Sequence, residues 1–367
     1  MSYEPESFET VIVGGGQAGL ATGYQLTKRG RSFVILDSHE RTGDAWRTRW
    51  DSLRLFTPAG YDGLPGLRFP ARRSQYPTKD EMADYLEVYA TKFSLPVRHN
   101  VRVDALAAEG RRFRLAAGDL RFTADNVVLA TSPELIPRIP SFADDLDPRI
   151  CQMHSLDYLN PAQLRPGTVL VVGAGNSGAD IAMDLAGRFD VMLSGRDVGH
   201  IPFPINRFTG AFVYPLVRFA FHRILTIHNP AAKKLIRKLE AGHGLPLVRV
   251  KPKHLAAAGV QRVARVGSVR NGLPVLEDGR VLDVANVVWC TGYKPDYSWI
   301  DLPGFSDGGL AHRRGIVPQI PGLYFMGLNF QYSASSAQIN GLGRDSKVIA
   351  EAIAAQPTRL NDQLLVS

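Results

Sequence analysis

Only two cysteines, Cys151 and Cys290, occur among 367 residues, and they stand far apart in sequence. Their number and spacing exclude a C-x-x-C redox pair, a cysteine-rich zinc site and a disulfide framework. No H-E-x-x-H, G-x-S-x-G or Cys/His constellation is present, so metal-hydrolase and acyl-enzyme chemistry have no carrier. The histidines show no zinc-like spacing, and no metal is expected. A sustained lysine/arginine run is also missing, although the formal net charge is +8. The basic residues are scattered and arginine-rich, which argues against nucleic acid as a partner. The most apolar stretch, Phe208 to Ile227, is interrupted by Arg218, His222 and Arg223 and contains Pro215. Stable membrane insertion is therefore not expected. A buried or interface helix is the expectation there, with a substrate-channel wall or a surface membrane contact as alternatives. The first strand begins near Phe8, leaving no room before it for a signal peptide, and a cytoplasmic location is expected.

What is present is one phosphate-binding signature, twice. Val11-Ile12-Val13-Gly14-Gly15-Gly16-Gln17-Ala18-Gly19 opens the chain, and Val169-Leu170-Val171-Val172-Gly173-Ala174-Gly175-Asn176-Ser177-Gly178 repeats the pattern in its middle. Each copy follows an apolar β-branched run and precedes a helical pattern, the context that gives G-x-G-x-x-G its meaning. The first glycine makes the tight turn, and the second lets the backbone approach a pyrophosphate. The third lets helix and strand pack closely, so the helix N-terminus faces the phosphates. Two such sites point to two dinucleotides with electrons passing between them.

The end of the second strand in each unit discriminates the cofactors. Asp37 closes Phe33-Val34-Ile35-Leu36-Asp37, and a carboxylate there accepts hydrogen bonds from the ribose hydroxyls of FAD or NAD. Arg196 lies 23 residues after Gly173, as Asp37 lies 23 after Gly14. A guanidinium in the acid's place, with Ser194 just before it, points to the 2′-phosphate of NADP(H). Asp197 beside it opposes that pairing, and a solvated surface arginine is the alternative.

Along the chain the first unit reads as strand (Phe8 to Val13), helix (Gln17 to Arg29) and strand (Phe33 to Asp37). A polar, aromatic stretch from Ser38 to Tyr76 is too long for a plain connection and is expected to have a task. Thr78 and Glu81 have capping-box spacing before a helix from Lys79 to Phe93. Short runs at Val97 to Val103, Arg112 to Ala116 and Leu120 to Phe122 read as a β-meander, and Asn126 to Thr131 as a buried parallel strand. A proline-punctuated linker, Pro133 to Pro166, leads to strand (Thr168 to Val172), helix (Ser177 to Ala186) and strand (Val191 to Ser194). Asn286 to Tyr293 resembles the Asn126 strand. Gly322 to Gly327 and a helix near Asp345 to Ala355 return the chain to the first unit, so one domain is inserted in another.

These residues resemble the small bacterial flavin-containing monooxygenases and, beyond them, the plant indole-3-pyruvate monooxygenases. The carriers are the two glycine motifs, Gly43-Asp44-Ala45-Trp46-Arg47 leading into Trp50 to Leu55, Tyr76 to Lys79, His154 to Tyr158, and Cys290 to Tyr293. The resemblance implies an α/β, two-dinucleotide-binding-domain flavoprotein, with two Rossmann-like domains and the NADPH domain inserted in the FAD domain. The FAD domain would comprise residues 1–160 and 286–367. The NADPH domain would comprise 161–285, with a helical insert near 201–244.

The same resemblance implies the chemistry. NADPH reduces FAD, a C4a-hydroperoxyflavin forms with O₂, and a small amine, sulfide or carbonyl compound is oxygenated. FAD contacts are expected at Gly14, Gly16, Gln17, Ala18, Gly19, Asp37, Trp46, Val103, Thr131 and Gly327. NADPH contacts are expected at Gly173, Gly175, Asn176, Ser177, Gly178, Ser194 and Arg196. Trp46 reads equally as a packed core aromatic, and Asn176 and Ser177 as helix caps. Small residues from Ser333 to Gly343 either meet the flavin ring or serve close packing. His154 is expected to be a hinge or structural residue, and catalytic residues are not assigned. The sequence departs from the family pattern at Pro148, Ile150 and Ser132, which leaves substrate class and oxygenase efficiency open. Two rival readings remain: an NADPH-dependent reductase or diaphorase without oxygen transfer, and a dinucleotide-binding regulator without turnover. The oligomeric state is open, with a homodimer among the options.

Overall fold

The computed structural model describes residues 4–132, 136–240, 242, 244–305 and 310–356. The start of the proline-punctuated linker, Pro133, lies outside the described residues. In the first unit Glu6–Val13 (β1) turns into Gln17–Thr27 (α1) and returns as Phe33–Leu36 (β2). Asp44–Arg47 (α2) and Lys79–Lys92 (α3) follow, then Val97–Arg98 (β3), Ala105–Glu109 (β4), Arg112–Ala117 (β5) and Leu120–Leu129 (β6). The α3 start is fixed as its sequence requires. Thr78 Oγ1 accepts from the Glu81 N–H at 3.1 Å, and Glu81 Oε2 accepts from the Thr78 N–H at 2.8 Å.

Ile136–Pro137 (β7), Cys151–His154 (β8) and Val169–Val172 (β9) lead into the second unit, where Asn176–Leu185 (α4) and Val191–Ser194 (β10) repeat the opening. The insert contains Arg207–Phe212 (α5), Tyr214–Phe219 (α6), a π-helical turn at Ala220–Ile224, and Pro230–Glu240 (α7). Pro252–Ala257 (α8), Gln261–Val263 (β11), Val266–Arg270 (β12), Leu273–Leu276 (β13) and Asn286–Trp289 (β14) complete it. Tyr293–Lys294 (β15), Ile300–Asp301 (β16), Leu323–Phe325 (β17) and Ile339–Ala354 (α9) follow.

The eight-stranded sheet runs β16-β4-β5-β6-β1-β2-β3, with β17 also on β6. The five-stranded sheet, β11-β10-β9-β14-β8, is wholly parallel. In both, the strand before the glycine turn lies between the next strand of its unit and a later one: β2-β1-β6 and β10-β9-β14. That is the doubly wound arrangement, with its crevice at the carboxyl ends of β1 and β9. Alternation along the strands fills both faces. Ile12 enters one core cluster and Val11 and Val13 the other, as Val169 and Val171 part from Leu170 and Val172 in the inner sheet.

Three expectations are corrected. The run from Val97 is a two-residue strand pairing parallel with β2, and the meander is β4-β5-β6. Leu120 to Phe122 and Asn126 to Leu129 are one strand: its first half pairs with β5, its second half with β17 on the same edge. The inner sheet also reaches past its expected limits, because β8 and β14 (Asn286–Trp289) both hydrogen-bond within it.

The Phe208 to Ile227 stretch, expected as a buried or interface helix, is not buried: it is two short helices and a π-helical turn lying against the first unit. Pro215 sits in the first turn of α6, where a missing N–H does no harm. One face of the stretch meets the first unit, while Phe208, Phe212, Leu216 and Phe219 are 67%, 66%, 71% and 59% exposed on the other. No helix among the described residues is long and apolar enough to cross a membrane.

Candidate functional site

The two glycine turns are built alike, contact for contact. Gly14 has φ 109° and Gly173 φ 112°, a region that a side chain disfavours. Gly14 donates to the Leu36 carbonyl at 2.8 Å and Gly173 to the Ser194 carbonyl at 2.7 Å. A Cβ on Gly14 would press on the Ala130 carbonyl oxygen at 2.7 Å, and one on Gly173 would collide with the Cys290 carbonyl. A Cβ on Gly19 would strike the Gly14 carbonyl oxygen, and one on Gly178 that of Gly173. The second glycines differ: a Cβ on Gly16 or Gly175 would find no atom within 4 Å. Here the chain keeps open space in front of a helix start. Neither α1 nor α4 has a side-chain cap, so the first N–H groups of both face that space unsatisfied.

Around the first turn, Asp37 follows β2, is 5% exposed, and lies against Gly15, whose Cβ position its carboxylate would block. His39 Nδ1 stands 2.9 Å from Asp37 Oδ1, which raises the imidazole pKa through that hydrogen bond. Trp46 donates its indole N–H to Gln17 Oε1 at 3.1 Å, tying α2 to the start of α1. Ala18 lies beneath Gly327, whose Cβ position is 3.2 Å from the Ala18 Cβ. Thr131 follows β6 next to Gly14, while Val103 is buried in the apolar cluster on the far face.

Around the second turn the sequence-selected residues separate. Arg196 is exposed and makes no ion pair among the described residues. Ser194 is fully buried, and its hydroxyl donates to Ala264 O at 2.9 Å and accepts from Val266 N–H at 3.0 Å. The expectation that Ser194 helps read a phosphate is therefore corrected: its hydroxyl holds β10 to the β11–β12 link. The Asn176 side chain is likewise engaged, donating to Pro246 O at 3.2 Å and accepting from Val248 N–H at 2.9 Å. It fastens the chain leaving the insert to the start of α4, and is neither a free donor nor a cap of its own helix. Ser177 is half-buried beside it.

The stretch from Ser38 to Tyr76 is the seam between the units. Trp46 touches α1, whereas Trp50 is buried in the inner core cluster with Tyr158 and Leu255. Asp51 N–H donates to Leu159 O at 2.8 Å, and Arg249 reaches both Asp180 on α4 and the Ser52 carbonyl. His154, 1% exposed, accepts from Leu156 N–H at Nδ1, which leaves Nε2 to donate to Gly292 O at 3.2 Å. Burial lowers its pKa, and its ring stands edge-on to Tyr293. It is a structural pin between β8 and the Cys290 to Tyr293 turn. The cysteines are both free, one at the start of β8 and the other just past the end of the adjacent β14, and burial pushes the Cys290 thiol up to about 12. They form no dithiol relay.

Over the first unit lies the inner face of the insert. Tyr214 packs against Tyr61 in a tilted pair with ring centroids 4.9 Å apart, and accepts from Asn340 Nδ2 at 2.9 Å, at the start of α9. Ile227 and Ala334 exchange backbone bonds with Tyr332 and Leu225, and Arg344 binds the His222 carbonyl at 3.0 Å. The α9 N-terminus has no side-chain cap. Two buried groups here carried no sequence signal. Gln331, fully buried, accepts the Gly327 N–H at 3.0 Å and fixes that turn. Asp62, also fully buried, is bonded by the Thr57 hydroxyl, while its Oδ2 has no partner, and burial raises its carboxyl to about 8.

The chain belongs to the pyridine nucleotide-disulphide oxidoreductase family, whose model matches residues 11–198. It is 39% identical over 347 residues to an uncharacterized oxidoreductase CzcO-like of Geobacillus kaustophilus, covering 93% of this chain and 97% of that protein. The rice indole-3-pyruvate monooxygenase YUCCA1 is 35% identical over 180 residues, 48% of this chain and 44% of that one. Among solved structures, a flavin-containing monooxygenase from Stenotrophomonas maltophilia superposes with a TM-score of 0.73 at 27% identity, covering 95% and 99% of the two chains. The protein is an oxidoreductase with the two-dinucleotide-domain flavoprotein fold.

Proposed function

We propose that this protein is an FAD-dependent monooxygenase that consumes NADPH and O₂ and oxygenates a small organic molecule, an amine, a sulfide or a carbonyl compound. The observation that carries the reading is the duplicated cradle, open at Gly16 and at Gly175 in front of two uncapped helices. The likeness to the flavin-containing monooxygenase over nearly the whole of both chains supports it.

Both cofactors fit their places. At Gly14 to Gly19 the open backbone and the α1 N-terminus accept a pyrophosphate, and Asp37 accepts ribose hydroxyls. At Gly173 to Gly178 the α4 N-terminus would do the same, and the exposed Arg196 would meet the 2′-phosphate that distinguishes NADPH from NADH. FAD, reduced by NADPH, supplies the oxygen-activating chemistry, which no side chain of the protein provides.

The chain's own work is position and exclusion of water. Gln331 and Ala18 hold the Gly327 turn against α1, and the Trp46 to Trp50 seam joins the two cradles. Tyr214 and Asn340 close the insert over the N-terminus of α9, which lacks a side-chain cap and whose dipole favours negative charge there. A covered site of this kind protects a reactive oxidant from water.

The test is anaerobic mixing of purified protein with NADPH. Bleaching of a bound flavin at a rate fast enough for turnover, with NADH much slower, supports the reading. A colourless protein, or a flavin that NADPH leaves oxidised, overturns it.

A further inference from the structure

The outer face of the insert has no counterpart in the scheme above. Phe208, Phe212, Leu216 and Phe219 recur at intervals of four, four and three, the spacing of one helix face. All four are more than half exposed, and Phe208 and Phe212 already pack on each other with ring centroids 5.0 Å apart. A contiguous exposed apolar row of this size marks a contact surface. Its setting is cationic. Arg207 and Arg223 bracket the row, and α7 adds exposed Lys233, Lys234, Arg237 and Lys238. Within the insert, residues 201–244, the sequence holds seven lysines and arginines and a single acid, Glu240.

We propose that this face rests on the surface of an anionic lipid bilayer. Aromatic and leucine side chains would enter the headgroup boundary while the surrounding cations meet lipid phosphates. The helices of the insert are too short to span and lie side-on, which suits a peripheral contact. A second copy of the chain is the less fitting occupant: a two-fold contact sets the same patch against itself, bringing two cationic faces together. The inner face of the same helices carries Tyr214, bonded to Asn340 at the start of α9. Docking would therefore bring the covered site beside the membrane, where apolar molecules collect. The inference rests on the surface alone and stands whether or not the protein transfers oxygen.

The experiment is co-sedimentation of the full-length holoprotein with vesicles of phosphatidylcholine alone and of phosphatidylcholine with phosphatidylglycerol, at low and high salt. Binding to the anionic vesicles, weak or absent on the neutral ones and reduced by salt, is expected. Phe212→Glu/Leu216→Glu and Arg207→Glu/Arg223→Glu should each weaken it by at least about tenfold. Flavin content and NADPH oxidation in solution should be unchanged in both variants, which shows them folded. Absence of binding to anionic vesicles at low salt overturns the proposal, as does binding that both folded variants retain. So does a dimer, seen by sedimentation velocity, that Phe212→Glu/Leu216→Glu splits into monomers without any lipid binding in the parent.

Discussion

Asn176, the first residue of α4, holds Val248 from the far side of the insert: its Oδ1 accepts the Val248 N–H at 2.9 Å while its Nδ2 donates to Pro246 O at 3.2 Å. One side chain thus joins the second glycine turn, the proposed seat of the nicotinamide cofactor's pyrophosphate, to the chain that leaves the insert. Asn176→Ala should lower the melting temperature modestly, since it removes the part-buried bond to Val248 N–H, worth about 0.5–1.5 kcal/mol, while the exposed Pro246 carbonyl can turn to water. It should also raise the KM for NADPH several-fold while flavin content stays normal. A variant with unchanged melting temperature and raised peroxide release would instead return Asn176 to a direct role at the pyrophosphate.

The two glycine positions in the first turn separate folding from binding. At Gly16 a side chain meets nothing, so Gly16→Val should give a folded protein with little flavin. At Gly19 a Cβ strikes the Gly14 carbonyl oxygen, so Gly19→Val should fail to fold. Flavin content and circular dichroism of both decide it. Normal flavin in Gly16→Val would remove the first turn as the FAD site.

Arg196→Ala should raise the KM for NADPH about tenfold or more, the worth of one charge-assisted phosphate contact, and leave that for NADH nearly unchanged. Ser194→Ala should behave differently, lowering stability with no change in cofactor preference, because its hydroxyl faces Ala264 and Val266. Equal losses with both cofactors on removing Arg196 would mean that it does not read the 2′-phosphate.

These two residues show how far the sequence reaches. The glycines were legible because turn geometry admits few residues there, and Thr78 with Glu81 because a capping box is local. The Ser194 hydroxyl and the Asn176 side chain point away from where they were expected, because sequence gives a residue's place on a strand or helix, not the direction of its side chain. The β6 strand was read as two, since its first half mixes exposed and buried residues and its second half is buried throughout. The insert's apolar row was read as a buried or interface helix because composition does not say which face finds a partner. Asp62, a lone acid in a loop, gave no signal at all.

Asp62 makes stability depend on pH. Its carboxyl titrates at about 8 in the folded protein and near 3.9 when unfolded, so between those values the folded state holds one more proton. Its contribution is therefore complete below about pH 4 and is lost as pH rises, by at most about 1.4 kcal/mol per unit, until about pH 8. Asp62→Asn should abolish that slope, so its melting temperature should gain on the parent's steadily from pH 5 to 8. Parallel curves for the two proteins would show Asp62 to be ionised in the fold.

Oxygen transfer itself is tested most directly by turnover under isotopically labelled O₂ with NADPH and a small sulfide or amine. Label is then traced into the organic product and peroxide is counted per NADPH oxidised. The account predicts labelled product, with peroxide well below one per NADPH. Peroxide equal to NADPH consumed across a panel of amines, sulfides and ketones, with no label in any product, would contradict it and leave a reductase.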